Sequence, residues 1–178
     1  MTIIASILAL LQATAAPDAA DPLAPAREGK LQCTLPDPVK KSCMALSRYV
    51  PDGDRRYLNI TRSLMGKKPE MILEFKSPTV IEGNAACGIM ARSEMDEAII
   101  YVDGIEAPVE VRKPITDSLL AQVEGHLGKK ACQRIRRDGD GLVQEVEIDG
   151  QPTPENTMRV SWVDPTEGYR LRMGLEPD

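Results

Sequence analysis

Aromatic residues are scarce in this chain: one Phe, one Trp and four Tyr make up 3% of its 178 residues. A flat stacking platform for sugars or single-stranded nucleic acid needs more rings than that, so any core must be packed mainly from Val, Ile, Leu and Met. Positive charge is not in excess either. The net charge of -5 and a pI near 5.1 argue against a nucleic-acid partner, whose phosphates are held by basic surface. There is one histidine, no Cys-x-x-Cys pair and no Gly-x-Ser-x-Gly elbow. Those gaps remove the common zinc sets, the thioredoxin-type redox pair and the serine-hydrolase nucleophile. No apolar run reaches the roughly 20 residues that cross a bilayer, so no stable membrane span is expected after the leader described next.

Residues 2–11 are uncharged and mostly apolar, and small residues at positions 13 and 15 follow them. That is the pattern of an export leader and its cleavage site. Residues 1–15 are therefore expected to be a signal peptide. Residues 16–28 are dominated by Ala, Pro and Asp, with Leu23 their only large apolar side chain, and read as a disordered Ala/Pro-rich spacer. Residues 29–178 are then a single domain, exported to a bacterial periplasm or the medium.

Four cysteines, at positions 33, 43, 87 and 132, follow this leader. An even number in an exported chain favours two disulfides in an oxidising compartment. Four cysteines allow three connectivities, and we favour Cys33 with Cys43 and Cys87 with Cys132. In the chain-entropy model the short loop contributes about 3 kcal/mol and the long one about 4 kcal/mol.

Through the body of the chain, period-two patterns dominate. Met71, Leu73 and Phe75 share one face of a strand over 70–76, with 57–62 as its partner. Ser77-Pro78 interrupts the pattern, which resumes over 79–82. Apolar stretches at 98–102 and 105–111 flank Asp103-Gly104, a hairpin signal, and Pro114 ends the second of them. Leu119, Leu120, Val123 and Leu127 mark one face of a helix over 115–127, with Thr116 or Asp117 as N-cap and Gly128 as the stop. Further strands follow at 142–148, 158–162 and 169–173, with Trp162 facing inward as a core anchor. The predicted fold is α+β: mainly antiparallel sheet in hairpins, with one amphipathic helix packed on it.

Chemistry is harder to find. Asp138, Asp140, Gly141, Val143 and Glu147 match positions of a calcium loop, but its first ligand position is Arg136, a cation. A tight Asp/Gly turn explains the same letters. His126 falls at the helix end, where a cationic ring would suit the dipole, and no nucleophile accompanies it. Lys129, Lys130, Arg134, Arg136 and Arg137 form a basic patch beside Cys132, with Arg134 and Arg136 on one strand face. This patch is the candidate surface for an envelope protein partner. The order strand, helix, strand, turn, strand over 109–163 resembles in outline the carboxy-terminal domain of TonB-type energy transducers, which implies an envelope interaction role. No catalytic residue, metal ligand or cofactor is expected, and the oligomeric state is open. The function expected is a non-enzymatic binding or interaction module of the bacterial envelope; the alternative is a secreted hydrolase using unidentified Asp and Glu residues.

Overall fold

The computed structural model describes residues 21–172. The expected leader, the first part of the spacer and the end of the last expected strand lie outside the described residues. In chain order these form α1 (Ala24–Arg27), β1 (Leu31–Thr34), β2 (Ser42–Cys43), β3 (Ala45–Pro51), β4 (Arg56–Lys67), β5 (Glu70–Glu82), β6 (Ala85–Ile89), α2 (Arg92–Asp96), β7 (Ile99–Val102), β8 (Ile105–Glu106), α3 (Val109–Val123), β9 (Lys130–Asp138), β10 (Gly141–Ile148), β11 (Gln151–Pro152), β12 (Met158–Val163) and β13 (Arg170–Leu171).

Strands β1, β3, β4, β5, β6, β9, β10 and β12 pair antiparallel in that order, and β12 returns to β1 with Leu31 opposite Val163 and Thr34 opposite Val160. The result is a closed eight-stranded up-and-down barrel carrying extra strands. This overturns the expected antiparallel sheet with one helix packed on it. A strand with one apolar face can bury that face under a helix or against other strands across a lumen, and period-two alternation is the same in both cases. The contact that decides between them joins residues 31–34 to 160–163, at opposite ends of the domain.

The lumen is filled by side chains that alternate inward along each strand. Tyr49, Tyr57, Ile81 and Ala86 are buried there, with Trp162 packed against them and its ring centroid 6.2 Å from that of Tyr49. Trp162 is thus the core anchor its position suggested. A polar chain crosses this interior. The Gln133 amide donates to Tyr49 Oη (2.6 Å), Tyr49 Oη donates to Gln32 Oε1 (2.7 Å), and Gln32 Nε2 donates to Gln144 Oε1 (2.7 Å). Burial pushes the Tyr49 hydroxyl up to about 12, the bond from Gln133 pulling the other way. Because Gln32 satisfies groups on both sides, Gln32→Leu is expected to lower stability by about 1–3 kcal/mol in a denaturant titration. A loss within error of zero would mean that water replaces the bond.

Leu23 and Ala26, in the stretch assigned by composition to the spacer, are buried in the core. Leu23 is fully buried among Tyr49, Tyr57 and Ile81, and α1 follows it directly. Asp21 accepts hydrogen bonds from Tyr57 Oη (2.6 Å) and the Leu23 backbone (2.8 Å), and the Arg27 guanidinium lies over the Tyr57 ring. The segment offers one large apolar residue, and the barrel end supplies a socket for it. Local composition cannot register such a socket.

The helix also differs from expectation. It begins at Val109, directly after Pro108, and carries Pro114 inside it. The strand expected over 105–111 is limited to Ile105–Glu106. Proline fixes φ near the helical value and has no N–H to leave unpaired, so it ends a short strand and suits a helix start. Ile115 and Leu119 pack on a cluster of Leu73, Ala98, Ile100 and Ala107. There β5 leaves its barrel neighbour and pairs with β7 (Leu73 opposite Ile100). Without a strand at 109–111, the outline shared with TonB-type domains disappears.

Both favoured disulfides are present. Cys33–Cys43 sits in an outer apolar cluster with Val163, and Cys87–Cys132 joins directly opposite residues of β6 and β9. Two disulfides suit an oxidising, extracellular-type environment. Among the described residues, no helix is long and apolar enough to cross a membrane.

Candidate functional site: a seam in the barrel wall

One place in the wall is incomplete. On one edge, β5 is paired by β7 over Met71–Glu74 and by β6 over Val80–Glu82. Between those stretches, at residues 75–79, neither strand pairs with it. Pro78 lies in this gap and has no N–H to give a neighbour; its β4 side stays in register, opposite Leu58. The Ser77-Pro78 interruption seen in the sequence therefore marks a change of partner within one continuous strand. After β6 the chain leaves the wall as α2 before returning at β9, so α2 lies beside the seam.

A cavity of about 270 Å³ opens here into the lumen. Its walls come from the inner faces of β4, β5, β6, β9 and β10, and Asn59, Ser77, Thr79, Gln133 and Gln144 supply the polar lining beside Phe75 and Val146. A second cavity of about 360 Å³ lies on the outer side, an apolar shelf made by Pro78, Val80, Ile89 and Ala91, with Glu82 and Lys130 at its rim. The two cavities share Pro78, Cys87, Gly88, Ile89 and Glu94, so they meet along the seam. Gly88 forms the waist: a Cβ there would stand 2.9 Å from the Pro78 carbonyl oxygen, too close for any side chain. The Cys87–Cys132 disulfide ties β6 to β9 at the position where β6 loses β5.

The polar groups of the lumen are only partly used. Gln144 Oε1 accepts from Gln32 and Asn59 Oδ1 accepts from Thr61, while Gln144 Nε2, Asn59 Nδ2 and Gln133 Oε1 have no partner among the described residues. All three residues line the cavity. Among the described residues, Glu94 is the one carboxyl lining the lumen cavity. Burial raises it to about 6, the Ala91 backbone N–H donating to it pulling the other way. Glu82, on the outer rim, is already ion-paired with Lys130, whereas Glu94 has no cation partner among the described residues.

A carboxyl whose pKa is raised by folding favours the folded state below its ordinary value of 4.5. It loses that contribution as the pH rises through about 6. Glu94→Gln should therefore raise the melting temperature by about 2 °C at pH 7 and leave it unchanged at pH 4. A fall at pH 7 would mean that the carboxylate is held by groups that favour its charge.

The sequence-derived candidates fall elsewhere. Arg134 and Arg136 do lie on one outer face of β9, but each meets a carboxylate of β10: Arg134 pairs with Glu147, and Arg136 with Glu145 at 2.7 Å. With Lys130 bound to Glu82, the patch is largely neutralised within the fold. Lys129 and Arg137 flank it, both exposed. Asp138–Gly141 is the β9–β10 turn, with Gly139 at φ +57°. Among the described residues, no group of three His, Cys, Asp or Glu side chains could hold a metal ion. His126 is exposed in a helical turn after α3. Sequence reasoning missed Asn59, Glu94, Gln133 and Gln144, since isolated amides and a lone acid carry no motif; Pro78 was the only local sign. No protein-family model matches this chain, nor does any curated protein or solved structure, so what the seam can hold rests on its residues.

Proposed function

We propose that this is a non-enzymatic binding protein, exported by a bacterium, that holds a small, partly apolar molecule in the barrel through the seam between β5 and β6. The observation that carries this reading is the meeting of two cavities at Gly88 and Glu94, one apolar and outside, the other lined by amides and inside. Small-molecule sites combine apolar walls with a few convergent polar groups, and this one has unused donors and an acceptor in place. Hydrolysis by a carboxylate pair is disfavoured by the single carboxyl of the lumen cavity.

Ser77 lines the cavity from β5, opposite Asn59 on β4. Ser77→Phe should fill the space and weaken binding of the neutral fluorophore N-phenyl-1-naphthylamine by at least about tenfold, which corresponds to about 1.4 kcal/mol. The same fluorophore should bind the native protein at micromolar concentration with a blue-shifted emission. Equal binding by the variant, with its melting temperature retained, would place the fluorophore elsewhere and defeat the reading.

A further inference from the structure

Resting on that reading of the seam, the class of ligand follows from what the site offers and what it leaves unmatched. Its cationic groups are committed: Lys130, on the outer shelf, is ion-paired with Glu82. Its one uncommitted charge is negative, because Glu94 lines both cavities and has no cation partner among the described residues. An anionic ligand would meet that carboxylate unscreened at the waist, and a wholly neutral one would leave it half-buried without a counter-charge. A cation at the seam satisfies it. Beyond the seam, Val80 and Ile89 are 41% and 53% exposed. They form, with Pro78 and Ala91, an apolar surface continuous with the site. Inside, the free oxygen of Gln133 is a second acceptor for an N–H group.

We infer that the seam binds an amphipathic amine, its ammonium group placed against Glu94 beside the Pro78–Gly88 contact and its apolar body lying on the Pro78–Val80–Ile89–Ala91 shelf. Glu94 is then the specificity-determining residue, and the lumen amides Asn59, Gln133 and Gln144 receive any polar substituent next to the amine. A charge-assisted bond in a partly desolvated site is about twice as strong as a neutral one, which separates amine from alcohol on the same chain. Gly88 contributes by absence, since a Cβ there would clash with the Pro78 carbonyl oxygen and force β5 and β6 apart.

The test compares n-decylamine, n-decanol and n-decanoate at pH 7.5 by calorimetry on the whole protein, below their aggregation concentrations. Decylamine is expected to bind about tenfold more tightly than decanol, with decanoate the weakest. In Glu94→Gln the amine should lose that advantage while decanol binds within about twofold of its native value. Decanol or decanoate binding as well as decylamine to the native protein would overturn the amine assignment and leave the cavity reading standing. Retention of the amine preference by Glu94→Gln would also overturn it, by moving the counter-charge elsewhere. No binding of any of the three would defeat the cavity reading itself. The native comparison needs no variant, so a poorly folding Glu94→Gln protein would not protect the inference.

Discussion

Replacing Cys87 and Cys132 together by serine is expected to lower stability by about 4 kcal/mol, read as a shift of the denaturant midpoint. The bond spans 45 residues, and opening it returns the corresponding loop entropy to the unfolded chain. Its position adds a functional consequence. Cys87 precedes Gly88 at the waist, and β6 has β9 as its remaining neighbour beside the seam. The double variant should therefore also bind N-phenyl-1-naphthylamine more weakly under conditions where it is still folded. Removing Cys33–Cys43 is the control. That bond closes a separation of 10 residues in the outer cluster away from the seam, so it should cost about 3 kcal/mol and leave fluorophore binding unchanged. Equal effects of the two pairs on binding would deny the Cys87–Cys132 bond a local role.

The second large effect is expected at Leu23. Its side chain is fully buried in the barrel end with Tyr49, Tyr57 and Ile81. Leu23→Ala should cost about 2–5 kcal/mol, the range for emptying a well-packed leucine site. Asp21→Asn, which weakens the acceptor for the Tyr57 hydroxyl without emptying space, should cost less, about 1 kcal/mol. A change below about 0.5 kcal/mol for Leu23→Ala, the range of ordinary surface substitutions, would mean that the segment does not close the barrel in solution.

What could be read directly from the chain was local. Met71, Leu73 and Phe75 announced a strand, Asp103-Gly104 a turn, and the cysteine count two bonds, because each signal lies within a few residues. Barrel closure was not legible, since it depends on β1 meeting β12 across most of the chain. The socket for Leu23 was hidden for the same reason: it is built by β3, β4 and β5, not by the segment that fills it. Val109 and Val111 misled because their alternation is real while neither faces the core; both remain about half exposed. At the site, the basic residues drew notice because they cluster in sequence, yet Glu145 and Glu147 on the facing strand neutralise two of them. Glu94 and the lumen amides are far apart in the chain and converge only once the wall closes.

The most direct measurement of a lumen site is a ¹⁵N-correlation NMR titration of the native protein with N-phenyl-1-naphthylamine, following the side-chain amides of Asn59, Gln133 and Gln144 and the backbone N–H of Gly88. All four are expected to shift together, with one dissociation constant, and Ser77→Phe should suppress the response. Shifts confined to the exposed Ile105, Val109 and Val111 surface, with the lumen amides unmoved, would contradict binding through the seam.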